Sequence, residues 1–320
     1  MKYIYYPGCS LERNASAYHD SAMAVGNPLG MEFAEVDDWN CCGAIEFIAV
    51  DKMQAYALTA RNLSLAQKQV TNGETMIAPC SACYLNLSKC DAYLSADPQL
   101  AHKVNVSLAA GGLHYTPGAV KTRHLLEAIV QDVGYEAIAA QVKKPLYGLR
   151  VAPYYGCLIV RPGFLDKFDD YEHPTSLDRL MRGLGAEVVD FPLKASCCGG
   201  HMTQISEKVA LDMLYRLFKS AADYNADVIT TICPMCQLNL DAYQENVNKA
   251  YGTNFNMPIL YFTQLMGLAF GLPADELGFG KEFIDAGPAL TKVGVEPPQK
   301  PRKEKPAKEA LPMPLMPEEE

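Results

Sequence analysis

The sequence predicts an α/β protein built from two copies of one domain, each a small, mostly parallel sheet flanked by helices, with the copies related by pseudo-twofold symmetry. Two observations carry this reading. Short apolar or β-branched runs alternate with longer segments of helical periodicity, the pattern of βαβ units. The whole alternation, cysteines included, is also written twice, so one supersecondary plan has been used a second time.

In chain order, the first expected strands are 3–6 and 150–155, where "KYIYYPGC" ending at Cys9 matches "RVAPYYGC" ending at Cys157. The second are 31–36 and 186–191, within "LGMEFAEVDDWNCCG" (29–43) and "LGAEVVDFPLKASCCGG" (184–200). Helices should follow over 51–70 and 207–225, where apolar residues recur at helical spacing. The third strands are 75–79 and 227–232, and they run into "CSACYLNL" and "CPMCQLNL", where each CxxC opens a helix. Strand–helix–strand connections of this kind are right-handed and make a parallel sheet.

The domains are expected at 1–145 and 146–292, meeting near "VKKPLYGL" (142–149). From 293 to 320 the chain is rich in proline and charge with few bulky apolar residues. It reads as a disordered tail, whose basic run from Lys300 to Lys308 either docks a partner or is simply solvated.

Composition removes several function classes. With 49% hydrophobic and 20% charged residues the chain is globular. A formal net charge of −9 argues against nucleic acid as a partner, because phosphate binding needs a basic face. "MKYIYYPGCS" lacks the layout of a secretion signal. "MPILYFTQLMGLAFGLP" is short for a bilayer span and is broken by Thr263, Gln264 and two glycines. No transmembrane segment and a cytoplasmic location are therefore expected. In a reducing compartment eleven cysteines read as metal or redox ligands rather than a disulfide framework.

Ten of the eleven cysteines pair across the duplication in the order C, CC-G, CxxC, with gaps of 31 and 37 residues in one copy and 39 and 34 in the other. Each group follows a strand, at the sheet edge where open α/β folds bind ligands. A helix N-terminus favours thiolate at each CxxC, and the glycine after each CC suits a turn that brings backbone close to a bulky inorganic group. Four thiolates would suit structural zinc, whereas five per copy, with an adjacent pair, favour a multi-iron centre. The C-x2-C-x2-C-x3-C-P run of ordinary cubane ferredoxins is missing from the sequence, so cubane clusters would reside on another chain.

With both CC-G boxes in place, the chain resembles the B subunit of heterodisulfide reductase over roughly residues 1–292. The resemblance implies two noncubane [4Fe-4S] clusters. One would be held by Cys9, Cys41, Cys42, Cys80 and Cys83, and the other by Cys157, Cys197, Cys198, Cys233 and Cys236. It also implies cleavage of a small disulfide, that between coenzyme M and coenzyme B, in the cleft between the domains. Electrons would come from a small cubane iron–sulfur subunit (the C-type component), itself fed by a flavoprotein (the A-type component). The proline-rich tail departs from that pattern. CC-G domains also occur in sulfur-oxidation complexes, lactate-utilisation proteins and iron–sulfur subunits of quinone-linked dehydrogenases, so the alternative is a non-catalytic electron-relay subunit.

Other residues near the boxes have competing readings. His201, three residues past Cys198, is the candidate catalytic proton donor, or else a histidine bonded to backbone. Arg161 and Lys194 are candidates to hold an anionic substrate group, or else solvated charges. Cys90, the unduplicated cysteine, aligns with Tyr243 and reads as a buried side chain. Trp39, Tyr154 and Tyr155 read as shields around the cysteines or as plain packing, and His114 and His124 as surface or core residues.

Overall fold

Two four-stranded sheets, parallel throughout, organise the chain. The computed structural model describes residues 1–44, 47–160 and 168–294. The first sheet contains β1 (Lys2–Tyr5), β2 (Glu32–Glu35), β3 (Met76–Ala78) and β4 (Thr122–His124) in the order β2-β1-β3-β4. The second contains β5 (Arg150–Tyr154), β6 (Glu187–Val188), β7 (Val228–Thr231) and β8 (Ile259–Tyr261) in the equivalent order β6-β5-β7-β8. The central pairings repeat as well: Ile4 lies opposite Met76, and its counterpart Ala152 opposite Ile229. The duplicated α/β architecture expected from the sequence is the one observed.

The helices are α1 (Ser16–Gly26), α2 (Lys52–Gln69), α3 (Ser81–Ala96), α4 (Pro98–Ala109), α5 (Ser176–Gly183), α6 (Glu207–Asp223), α7 (Pro234–Ala242), α8 (Gln244–Tyr251) and α9 (Phe262–Phe270), besides short turns. Asp51 caps α2 by accepting the Gln54 N–H at 2.9 Å, which satisfies one of the orphan donors of a helix start. In α6 the buried residues are Ala210, Leu211, Leu214, Leu217, Phe218 and Ala221, a single stripe at helical period.

Two features were not foreseen. The fourth strand of each sheet is only three residues long, and β4 reads Thr-Arg-His, without an apolar run. Its buried Arg123 is accommodated because Glu127 (3.0 Å), Asp132 (2.6 Å) and Gln131 (2.9 Å) accept its N–H groups. β6 also spans two residues rather than six; after the Val189 N–H bonds Val151 O (2.9 Å), the Phe191 N–H turns back to Val189 O, and Pro192 follows with no N–H to give. The expected tail lies outside the described residues except for its first two, Val293 and Gly294.

The apolar stretch from Met257 to Pro273 forms β8 and then α9, which buries almost every residue and packs on α1 of the first half. Among the described residues no helix is long and apolar enough to cross a membrane. Ser21 of α1 meets Thr263 of α9 at 2.6 Å, both fully buried, and Lys281 pairs with Asp20 at 2.7 Å. Through α1 the first half is docked on the second.

Candidate metal centres

All ten duplicated cysteines lie beyond the C-terminal ends of the parallel strands. Cys9 sits in the turn Gly8–Leu11 after β1, and Cys157 follows β5. The CC pairs come after β2 and β6. Cys80 and Cys233 are the N-caps of α3 and α7, which carry Cys83 and Cys236 in their first turns. Every cysteine among them is a free thiol. Cys41 Sγ approaches Cys9 Sγ at 3.5 Å, Cys42 approaches Cys83 at 3.3 Å, and Cys198 approaches Cys236 at 3.5 Å.

The backbone around them is shaped for sulfur. Gly8 and Gly156 precede Cys9 and Cys157 with φ of +73° and +67°, a left-handed conformation that favours glycine. A Cβ on Gly8 would lie 2.9 Å from Cys83 Sγ, and one on Gly156 would lie 3.0 Å from Cys236 Sγ. Both glycines are therefore required twice over, for conformation and for space. The Gly43 N–H bonds Cys41 Sγ at 3.5 Å, and the Gly199 N–H bonds Cys197 Sγ at 3.3 Å. Asn239 holds the second CC-G turn through Cys198 O (3.4 Å) and Gly200 O (2.7 Å). Asn86 does the same for the first through Cys42 O (3.2 Å) and Ala44 O. Tyr6 and Tyr154 donate to Asn40 O (2.6 Å) and Ser196 O (2.7 Å), one residue before each pair.

The two sets are not separate. Neighbouring thiols perturb one another in the order Cys9–Cys41–Cys42–Cys83–Cys80 in the first half and Cys233–Cys236–Cys198–Cys197–Cys157 in the second, and Cys80 and Cys233 perturb each other across the junction. Of the two N-cap cysteines, Cys233 is held well below the ordinary thiol range by hydrogen bonds from Cys236 and Cys80, with backbone N–H groups of the helix start acting the same way. Cys80 is pushed well up because it donates to Cys233, and burial adds to this. Cys41, lowered to about 2, accepts hydrogen bonds from Cys42 and Cys9.

A cavity of about 190 Å³ has all five cysteines of the second set in its wall, together with Tyr155, Leu158, His201, Met202, Ile205, Met235 and, from the first half, Ser81. His201 thus faces the same space as the cysteines. Lys194 does not stand free for a substrate: its Nζ pairs with Asp178 at 3.1 Å, both largely buried. The same carboxylate accepts Tyr155 OH at 2.6 Å, and that oxygen takes the N–H groups of Leu177 and Asp178, so Tyr155 is a fixed wall. Arg161 lies outside the described residues.

Cys90 is buried, with its thiol toward Tyr56 O at 3.7 Å, away from the other ten. Trp39 donates to Glu35 at 2.9 Å and sets its ring edge-on to Tyr6. Tyr154 is fully buried. His114 is exposed and His124 buried. Sequence reading passed over Asn86 and Asn239, although each stands three residues beyond the second cysteine of its CxxC. It also passed over Gly8 and Gly156, which stand in the quoted repeats.

The cysteine-rich CCG domain family matches at residues 3–88 and again at 151–241. The chain belongs to that family. It is 36% identical over 293 residues to the 8-methylmenaquinol:fumarate reductase membrane anchor subunit of Wolinella succinogenes, covering 92% of this chain and 99% of the relative. It is 29% identical to the B subunit of the ferredoxin/F420H2-dependent CoB–CoM heterodisulfide reductase of Methanosarcina acetivorans, covering 90% and 95%. A protein of Archaeoglobus profundus, described as like the B subunit of heterodisulfide reductase, is 28% identical over 87% and 93%. The resemblance to that B subunit, read from the paired boxes, is borne out. A crystal structure of a hypothetical protein from Helicobacter pylori shares the fold, with a TM-score of 0.71 and 17% identity over 89% of this chain and 52% of that one.

Proposed function

We propose that this chain is the iron–sulfur subunit of a heterodisulfide-reductase-type redox complex, acting as its disulfide-reducing oxidoreductase. One noncubane [4Fe-4S] cluster is assigned to Cys9, Cys41, Cys42, Cys80 and Cys83, within 1–145, and a second to Cys157, Cys197, Cys198, Cys233 and Cys236, within 146–292. The observation that carries this reading is the cavity of about 190 Å³ walled by five cysteines. Structural zinc takes four ligands at about 2.3 Å around one point. Five sulfurs around a space about thirteen to nineteen times the roughly 10–15 Å³ that one water needs suit a polynuclear core instead. The glycines at 8 and 156, where a Cβ would press on a cysteine sulfur, support the same fit.

Such clusters, when bound, supply one-electron steps. The chain's own residues do the rest. Gly43 and Gly199 N–H groups stabilise charge on Cys41 and Cys197. Leu158, Met202 and Met235 line the cavity with apolar groups and so exclude water. His201, in the same wall, is assigned as the proton donor to the thiolate released from a small disulfide such as that of coenzyme M and coenzyme B. The expected partners are a flavoprotein and a cubane iron–sulfur subunit.

The second reading, an electron-relay subunit of a quinone-linked complex, is favoured by one observation. The Wolinella succinogenes relative, a subunit of a menaquinol:fumarate reductase, is matched over 99% of its length. Metal analysis of anaerobically purified protein tests both readings against zinc, with about eight irons and matching acid-labile sulfide expected per chain; zinc alone overturns them. Thiols or disulfides that perturb the electron paramagnetic resonance spectrum support disulfide chemistry. A spectrum indifferent to them but altered by quinol supports the relay.

A further inference from the structure

Cys80 and Cys233 lie near enough across the junction to perturb each other's thiol, and the residues immediately before them, Pro79 and Ile232, converge on one side chain. Tyr18 of α1 is fully buried. Its hydroxyl lies 3.3 Å from Pro79 O and 3.2 Å from Ile232 O. Its ring stacks on Tyr261 of the second half at 4.4 Å with the planes 10° apart, and meets Phe262 edge-on. His124 stands close by: its Nδ1 accepts the Leu126 N–H at 3.1 Å, which assigns the remaining proton to Nε2, and Nε2 meets Ser81 Oγ, one residue past Cys80, at 3.4 Å. Two carbonyls, one from each half, thus share the one buried hydroxyl of Tyr18.

We propose that Tyr18 is a positioning residue that holds the two cysteine centres at one fixed separation, so that they form a coupled pair rather than two independent sites. The physical reason lies in the duplication. A group bonded equally to both halves must lie near the pseudo-twofold axis, and only one copy can supply it. A phenol suits the task because its ring is locked by stacking while its hydroxyl reaches both carbonyls. Each of those carbonyls is one residue from a cysteine at the junction, so a shift of the hydroxyl's partners moves Cys80 against Cys233.

This inference rests on the two-cluster reading, and its test is a spectroscopic one. In wild-type protein with both centres paramagnetic, spin–spin splitting is expected. In Tyr18→Phe, which keeps the stacked ring, iron and sulfide should stay at the wild-type level while the splitting narrows. Ser21→Ala, which removes another bond between the halves without touching Pro79 or Ile232, should leave the splitting unchanged. An iron-replete Tyr18→Phe protein with wild-type splitting overturns the role of Tyr18. Should that variant fail to fold, the wild-type spectrum still decides, since two iron-replete centres without mutual interaction refute the coupling. A chain without iron is a different result: it removes the cluster reading itself, and metal analysis reports it independently.

Discussion

Replacing Gly8 with alanine separates what backbone conformation needs from what the sulfur site needs. Gly8 has a φ of +73°, and placing an L-residue in that left-handed region costs about 1–2 kcal/mol. Gly30 has a φ of +66° with nothing within 4 Å of an added Cβ, so Gly30→Ala carries the conformational cost alone. At Gly8 the new Cβ would stand 2.9 Å from Cys83 Sγ, where ordinary contact begins at 3.4 Å. Cys83 or the Gly8–Cys9 turn must therefore give way by about half an ångström, a large displacement for a metal ligand, whose distances hold to about 0.2 Å. Gly30→Ala should lower Tm by a few degrees, at about 2–4 °C per kcal/mol, and keep all its iron. Gly8→Ala should lose a similar amount of stability and about half the iron, that of the first centre. Gly156→Ala, with its Cβ 3.0 Å from Cys236 Sγ, should lose the other half. Iron and sulfide per chain, read beside thermal unfolding of the same samples, decide the matter. A Gly8→Ala protein with full iron and an unchanged spectrum would refute the argument that this glycine makes room for a ligand sulfur.

Two further outcomes follow from burial. Cys90→Ala should keep the full iron content and lose only about 1 kcal/mol of stability for the small cavity left beside Tyr56; loss of iron on metal analysis would instead make Cys90 a ligand. His124 is held down at about 4 by desolvation, while in the unfolded chain it titrates near its ordinary value of about 6.5. The unfolded state therefore binds the extra proton first, so stability is complete above about pH 6.5 and falls as pH drops toward 4, by up to about 3 kcal/mol. Urea midpoints measured at pH 7 and pH 4.5 should show that loss in the metal-free protein, and His124→Asn should flatten it. An equally steep decline in the variant would assign the acid sensitivity to other groups.

The cysteine plan was legible because it is local and duplicated. Each group falls within a few residues of a strand end, and α/β connectivity sends all such ends to one edge of a sheet. The central strands and the long helices were legible for the same reason, since burying one face imposes a period on consecutive residues. β4 escaped because Thr122, Arg123 and His124 carry no apolar pattern. What makes them a strand is a set of partners, Glu127, Gln131 and Asp132 among them, that satisfy Arg123 from the following turn. Lys194, read as a substrate cation or else a solvated charge, is instead in a largely buried ion pair, because Asp178, sixteen residues earlier, is brought against it only by folding.

The amino-acid sequence by itself therefore determined the repeated α/β plan, the identity of ten cysteines and their placement after strands, since those follow from spacing along the chain. Tertiary structure alone decided that the two halves meet at Cys80 and Cys233, that Tyr18 spans the meeting point, and that a cavity opens beside the second set. Those facts depend on how two separately folded sheets dock. Docking is decided by side chains, such as Tyr18 and Tyr261, that lie far apart in sequence and share no period.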